Sequence, residues 1–328
     1  MVMPCAIGNG PYFIVSEAIS SVASVWKKGK AYFLTGAVCF GFVKAIFYYK
    51  KQCQRNKWRS VGKDVVVLHL FPRGRYCPNV SPFVVKLETY LRMAGISYEL
   101  DFEEPLGPKG KCPWITWNGK DLADSQIIIE TLGKYYGKNF SSHLKAEDKA
   151  LGVSLRLMVE EHFFWCNVMW RWIFDQSFVV SSLTDWGTWL PFHWFYRPVI
   201  GQLLYLEAYM QGIGRHTESE VFAMGHQDLQ ALSISLGDHP FILGDKPTEV
   251  DCSIFGMLAQ ICWNSAGSPF LKLIETDYKN LIDYCHRMKE EFWPDWEYCL
   301  QPLEKQRLPK TSFRPPYCKT YEAIVLHE

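Results

Sequence analysis

Apolar and polar positions along Val65–Tyr136 follow a changing period, and each change marks an element. Val65–Phe71 is an almost continuous apolar run, as in a central strand covered on both faces. Between Pro82 and Met93 the residues Phe83, Leu87, Tyr90 and Leu91 recur at helical spacing. Ser81 stands in the N-cap position, Pro82 at the first helical residue and Gly95 beyond the end. Tyr98–Phe102 alternates as a strand. Trp114–Trp117, Asn118-Gly119 and Lys120–Leu122 predict a hairpin, because Asn-Gly suits a two-residue turn with both φ angles positive. Ser125–Tyr136 returns to the helical period and stops at Gly137. The predicted order is strand, helix, strand, then a hairpin and a helix.

Beyond a short linker at Ser141–Leu144 the period is helical throughout. One long aromatic-rich helix is predicted from Ala146 to about Phe178, then Trp194–Gly212, Ser219–Leu236, Asp251–Trp263 and Tyr278–Phe292. The pattern therefore divides the chain into an α+β domain over 64–140, an all-helical domain over 145–300 and a proline-rich flexible tail over 301–328. Upstream, residues 1–30 carry no domain signal. Residues 31–49, Ala31–Tyr49, are different: apolar residues surround the segment, and Lys44 is its single charge. Its uncharged run is shorter than the ~20 residues that cross hydrocarbon. Lys44 lies close enough to the end for its stem to reach the headgroups, beside the aromatic belt of Phe47, Tyr48 and Tyr49. The expectation is a single transmembrane helix. The heavier basic flank, from Lys50 to Arg59, keeps the folded domains in the cytosol.

Composition narrows this further. The 328-residue chain is 48% hydrophobic with a formal net charge of +1, so no charge imbalance suggests nucleic acid as a partner. Its 11 cysteines form no CxxC pair, and HExxH is absent, so no metal is expected and free thiols in a reducing compartment fit best.

Three short motifs sit where the predicted helices and strands begin. In Ser81-Pro82-Phe83 a hydroxyl stands at a helix N-terminus, where unpaired N–H groups and the positive end of the dipole stabilise an anion. Ser81 is either a plain cap or a donor to a bound thiolate, and it is the candidate catalytic residue. Cys77, in the loop after the first strand and near Arg73 and Arg75, is a weaker candidate nucleophile, since positive charge favours the thiolate. In Cys112-Pro113-Trp114 the proline fits only the first position of a strand, and a cis bond there would turn the backbone of Cys112 toward a peptide ligand. Asp124-Ser125 opens a helix. Ser125 is read as its cap, and Asp124 as a carboxylate able to hold an ammonium group. Downstream, Thr248-Glu249-Val250-Asp251 is a capping box and a folding feature. His162, in Glu160-Glu161-His162, shows no partner at metal-ligand spacing.

These motifs, in this order and followed by an all-helical half, resemble the glutathione transferase superfamily over about residues 65–300. The stretches FPRGRYCPNVSPFVVKLETYLRMAGISYE, KCPWITWNG and DLADSQIIIETL more narrowly resemble the failed axon connections family and its metaxin-like relatives. The resemblance implies an α+β thioredoxin-like N-terminal domain and an all-α C-terminal domain. Ser81 then occupies the nucleophile position of members reading Cys-Pro-Phe. Pro113 matches the cis-proline, and Cys112, Asp124 and Ser125 belong to the peptide contact. Glutathione is the implied ligand, with no covalently bound cofactor. The resemblance further implies either a membrane-anchored scaffold or adaptor in axonal development, with a protein partner and a homodimer as in transferase relatives, or an enzyme conjugating glutathione to small electrophiles. Metaxins imply the mitochondrial outer membrane, although the expected anchor here is N-terminal rather than C-terminal.

Overall fold

β1 (Val66–His69) is central because both of its edges are occupied. It pairs in parallel with β2 (Tyr98–Asp101) and antiparallel with β3 (Trp114–Trp117), which pairs antiparallel with β4 (Lys120–Ala123). The resulting order is β2-β1-β3-β4. All four β1 residues are buried, which is the physical content of its apolar run. At the hairpin, Asn118 and Gly119 have φ of 48° and 76°, the two positive angles that Asn-Gly was expected to supply.

The computed structural model describes residues 41–175 and 190–301, apart from 43 and 47. The chain divides into two compact units, one ending at Ser60 and the other beginning at Val61. In the first unit the described residues between 41 and 59 are helical and form α1. Residues 1–40, and with them most of the expected membrane span Ala31–Tyr49, lie outside the described residues, as does the expected tail from 302 onward. Among the described residues no helix is long and apolar enough to cross a membrane.

In the second unit α2 (Pro82–Met93) links β1 to β2, and α3 (Ser125–Tyr136) follows β4. The long helix runs as α4 (Ala146–Leu157), a π-helical turn Met158–Phe163, α5 (Phe164–Met169) and a second π turn Trp170–Phe174. It stops at Asp175, whose extended backbone (φ −111°, ψ 95°) ends the helix before the expected Phe178. Then come α6 (Leu190–Gln211), a 3-10 turn Ile213–Arg215, α7 (Glu218–Leu236), α8 (Glu249–Asn264), α9 (Pro269–Thr276), α10 (Lys279–Phe292) and the short α11 (Trp296–Cys299). The sequence pattern missed α9 and α11. α9 carries a Ser-Pro start like that of α2, and Ser268 Oγ accepts the Phe270 N–H as a working cap.

α2 is buried at every residue except Phe83, and α8, α3 and α10 pack against it. Its polar residues must therefore be paired inside the protein. Glu88 accepts both guanidinium nitrogens of Arg73 (2.7 and 2.8 Å) and the Tyr98 hydroxyl (2.9 Å). Arg92 donates to Asp295 at 2.5 and 3.1 Å and lies 3.9 Å from the Trp293 ring centroid. Burial by itself raises the Glu88 and Asp295 carboxyls, but the arginines outweigh it and hold both below their usual values. The close approach of α2 and α8 depends on Gly256. A Cβ there would lie 2.5 Å from the Pro82 carbonyl oxygen.

At the start of α8 the expected capping box is present. The buried Asp251 carboxylate accepts the Thr248 N–H (2.7 Å) and hydroxyl (2.9 Å), the Ile242 N–H (2.9 Å) and the Tyr284 hydroxyl (3.2 Å).

Candidate ligand site at one end of the sheet

Register gathers the three motifs. His69, the last residue of β1, stands opposite Trp114, the first of β3, and Trp114 stands opposite Ala123, the last of β4. The loop that leads from β1 to Ser81, the residue Pro113 before β3 and the residue Asp124 after β4 therefore emerge at the same sheet end. This end lies beyond the carboxyl terminus of β1, where open α/β sheets place ligands. The N-terminal halves of α2 and α3 are tied directly: Lys86 Nζ donates to Gln126 Oε1 at 2.8 Å and to Glu160 Oε1 of the helical half at 2.5 Å.

Ser81 is the N-cap of α2, with extended backbone (φ −92°, ψ 121°), as expected. Its hydroxyl makes no cap bond. Its N–H instead donates to Asn79 Oδ1 (3.0 Å), and Asn79 Nδ2 donates to the Phe71 carbonyl (2.7 Å). The local turn is thus closed by Asn79, and the half-buried Ser81 hydroxyl is left for other work.

Cys77 departs from expectation. It is fully buried, and burial pushes its thiol up to about 12, which reverses the expected thiolate. Arg73, expected to activate it, is committed to Glu88. The nearby cation is Arg171 from the second π turn, itself lowered to about 10 by burial. Arg171 donates to Gln260 Oε1 (3.2 Å), and Gln260 Nε2 donates to the Asn79 carbonyl (3.0 Å) and to Cys77 Sγ (3.6 Å). The loop before Ser81 is thereby pinned to α8 and the long helix. Gln260 and Asn79 went unnoticed in the sequence. The available signal was Gln260, the one polar side chain within the run from Ile254 to Trp263.

The Cys112–Pro113 bond is cis, and Pro113 is buried. The Cys112 thiol is raised to about 12 by burial, with Sγ 4.0 Å from the His69 carbonyl oxygen. Beneath it, Trp114 stacks on His69 with ring centroids 3.6 Å apart. His69 Nδ1 is 2.7 Å from Asp101 Oδ2, and Nε2 is 2.9 Å from Thr116 Oγ1. This buried polar cluster fixes the floor of the sheet end.

The third motif exchanges its roles. Asp124, not Ser125, is the cap of α3: its Oδ1 accepts the N–H groups of Gln126 (3.0 Å) and Ile127 (3.1 Å). Its Oδ1 is engaged by the helix, while Oδ2 takes no part in the cap and the residue is exposed. Ser125 is the first helical residue and is buried. Asp124 holds φ 91° and ψ 118°, a region that a residue with a Cβ adopts at a cost and that is concentrated at binding sites. Among the described residues a groove of about 500 Å³ opens between α3 and α4 from Gln126 to Val250, and Ser81, Pro113 and Asp124 do not line it.

Comparison with known proteins accords with this geometry. The family described as glutathione S-transferase N-terminal domain matches residues 82–178, and the glutathione S-transferase C-terminal domain matches 225–288. Over 76% of its length the chain is 32% identical to Failed axon connections of Drosophila melanogaster, of which it spans 63%. It is 30% identical over 66% of its length to isoprene-epoxide–glutathione S-transferase of a Rhodococcus species, of which the match covers 94%. Metaxin-2 of Mus musculus is 24% identical over 59% of this chain and 74% of its own. The chain belongs to the glutathione S-transferase superfamily and, within it, to the metaxin-like failed axon connections family.

Proposed function

We propose that the sheet end binds glutathione and that Ser81, rather than a protein thiol, acts on the bound sulfur. The observation that carries this reading is the Ser81 hydroxyl: it stands at the N-terminus of α2 and is not consumed as a cap. A hydroxyl there can donate to a thiolate while the helix N-terminus supplies the field that favours its charge. Cys77 and Cys112, with thiols near 12, supply no thiolate of their own. The bent backbone at Cys112–Pro113 suits the peptide portion, and the exposed Asp124 carboxylate, whose Oδ2 lies outside the cap, suits the ammonium group of its terminal amino acid. A relative that carries isoprene-epoxide in its name suggests a small epoxide as co-substrate. The sulfur would attack a ring carbon, the C–O bond would open and the alkoxide would take up a proton from water.

Calorimetry of the full chain with glutathione tests the binding. Saturable heat at millimolar ligand or below is expected, where a millimolar Kd corresponds to about −4 kcal/mol. Absence of heat would end this reading. Conjugation to an epoxide, followed as thiol loss, should slow by roughly 10- to 100-fold in Ser81→Ala, since a lost hydrogen bond to a charged group is worth about 1.5–3 kcal/mol. Cys77→Ala should leave conjugation unchanged.

A second reading is favoured by the same serine. If the site binds without turnover, the fold serves as a scaffold or adaptor in axonal development, tethered to a membrane through Ala31–Tyr49. The serine at a cysteine position and the relative named Failed axon connections support it. Heat of binding without conjugation would select this reading.

A further inference from the structure

Away from the sheet end, three side chains with metal-ligand chemistry meet between the long helix and α7. His162 lies in the π turn Met158–Phe163, Cys166 follows four residues later in α5, and Asp228 comes from α7. Residues four apart share a helical face, the spacing by which one helix offers two metal ligands. A single ligand atom from each of the three lies within 4.8 Å of the others. His162 Nδ1 and Asp228 Oδ2 are already 2.7 Å apart. In a tetrahedral zinc site with bonds of about 2.0–2.3 Å, neighbouring ligand atoms are about 3.3–3.8 Å apart. The present spacing needs an adjustment of roughly an ångström, within the reach of side-chain torsions.

Burial is graded across the cluster. Cys166 is 0% exposed and Asp228 6%, whereas the His162 side chain is 43% exposed. An ion would enter from the histidine side and keep one position open to water there, as in three-ligand zinc sites. The helical irregularity is itself pertinent, because π turns gather at functional positions. The hydrogen bond accounts for His162 and Asp228, but it gives no reason for a buried sulfur beside a buried carboxylate.

We propose that His162, Cys166 and Asp228 form a three-ligand binding site for Zn²⁺. On binding, the Cys166 S–H proton leaves to solvent, and the His162–Asp228 hydrogen bond is exchanged for two metal–ligand bonds. The imidazole then carries its proton on the other ring nitrogen, and no electron is transferred.

Co²⁺ is a spectroscopic substitute that reports both sulfur ligation and tetrahedral geometry. Chelator-stripped full-length protein titrated with Co²⁺ should show visible d–d bands and a near-ultraviolet sulfur-to-metal charge-transfer band. Both should saturate at one equivalent and be abolished by Zn²⁺. Cys166→Ser should remove the charge-transfer band. His162→Gln, at the exposed edge, should weaken Co²⁺ binding at least tenfold while leaving the circular dichroism of the metal-free protein unchanged. Zn²⁺ should raise the melting temperature of the parent chain and not that of His162→Gln. Absence of tetrahedral bands, or bands that survive in both Cys166→Ser and His162→Gln because another cysteine holds the ion, would overturn the assignment.

Discussion

Replacing Gly256 by alanine tests whether the seating of α2 on α8 positions the ligand site. The added Cβ would lie 2.5 Å from the Pro82 carbonyl oxygen, 3.0 Å from Lys86 N and 3.2 Å from Lys86 Cβ. The first two are backbone atoms, so no rotamer change relieves the contact. Restoring an ordinary separation near 3.4 Å requires α2 to retreat by about 0.9 Å. Overpacking of this kind costs about 1–3 kcal/mol. Alanine returns about 1 kcal/mol through helix propensity. The retreat also loosens the bonds from Lys86 to Glu160 and Gln126. The expected net loss is about 1–2 kcal/mol, a fall in Tm of roughly 2–8 °C. Because Ser81 stands at the N-terminus of the displaced helix, glutathione affinity should drop about tenfold, equivalent to ~1.4 kcal/mol. Gly152→Ala is the control. Its Cβ would meet only the methyl ends of Leu243 (2.9 Å) and Val250 (3.0 Å), which can turn aside, so affinity should not change. Scanning fluorimetry and calorimetry read both quantities. A Gly256→Ala protein that melts at or above the parent temperature with unchanged affinity would refute the reasoning.

Three further outcomes follow from the same geometry. Asp124→Gly keeps the positive φ without steric cost and should lose only a few tenths of a kcal/mol, whereas Asp124→Ala keeps the strain, loses the cap and should cost about 1–2 kcal/mol; equal melting temperatures for the two would contradict this. Arg92→Met leaves Asp295 without its two guanidinium bonds and should cost about 3–5 kcal/mol at pH 7. Since the folded Glu88 and Asp295 carboxyls lie below their unfolded values, their stabilisation is complete above about pH 5 and is lost as the pH falls through the folded values, so the difference between variant and parent in urea titrations should shrink in acid. Asp251→Asn turns an amide toward donors from Thr248, Ile242 and Tyr284, and unfolding titration should show a loss of several kcal/mol; a loss below about 1 kcal/mol would mean that the box is not a stabilising hub.

Local signals were read well where one short segment contains its own cause. The Asn118-Gly119 turn, the Pro82 start of α2, the Thr248–Asp251 box and the apolar β1 all depend on residues within a few positions of one another. Their geometry follows from backbone sterics, capping and strand burial, which the chain carries in its order. The order of strands and helices was legible for the same reason, whereas the thioredoxin-like fold was implied by the family resemblance.

What depended on distant partners was not legible. Whether Cys77 is reactive was decided by the helices that bury it. The exchange of roles between Asp124 and Ser125 arose because β4 delivers the chain to α3 through a positive φ, which turns the carboxylate rather than the hydroxyl onto the helix N–H groups. Cys166 stands only four residues from His162, but the carboxylate that joins them, Asp228, is 66 residues from His162 in the chain. Sequence alone determined the elements and their order, since those rest on periodicity and local sterics. Only the tertiary structure decided which polar groups are buried and whom they face, because desolvation and pairing arise when segments remote in the chain exclude water from one another.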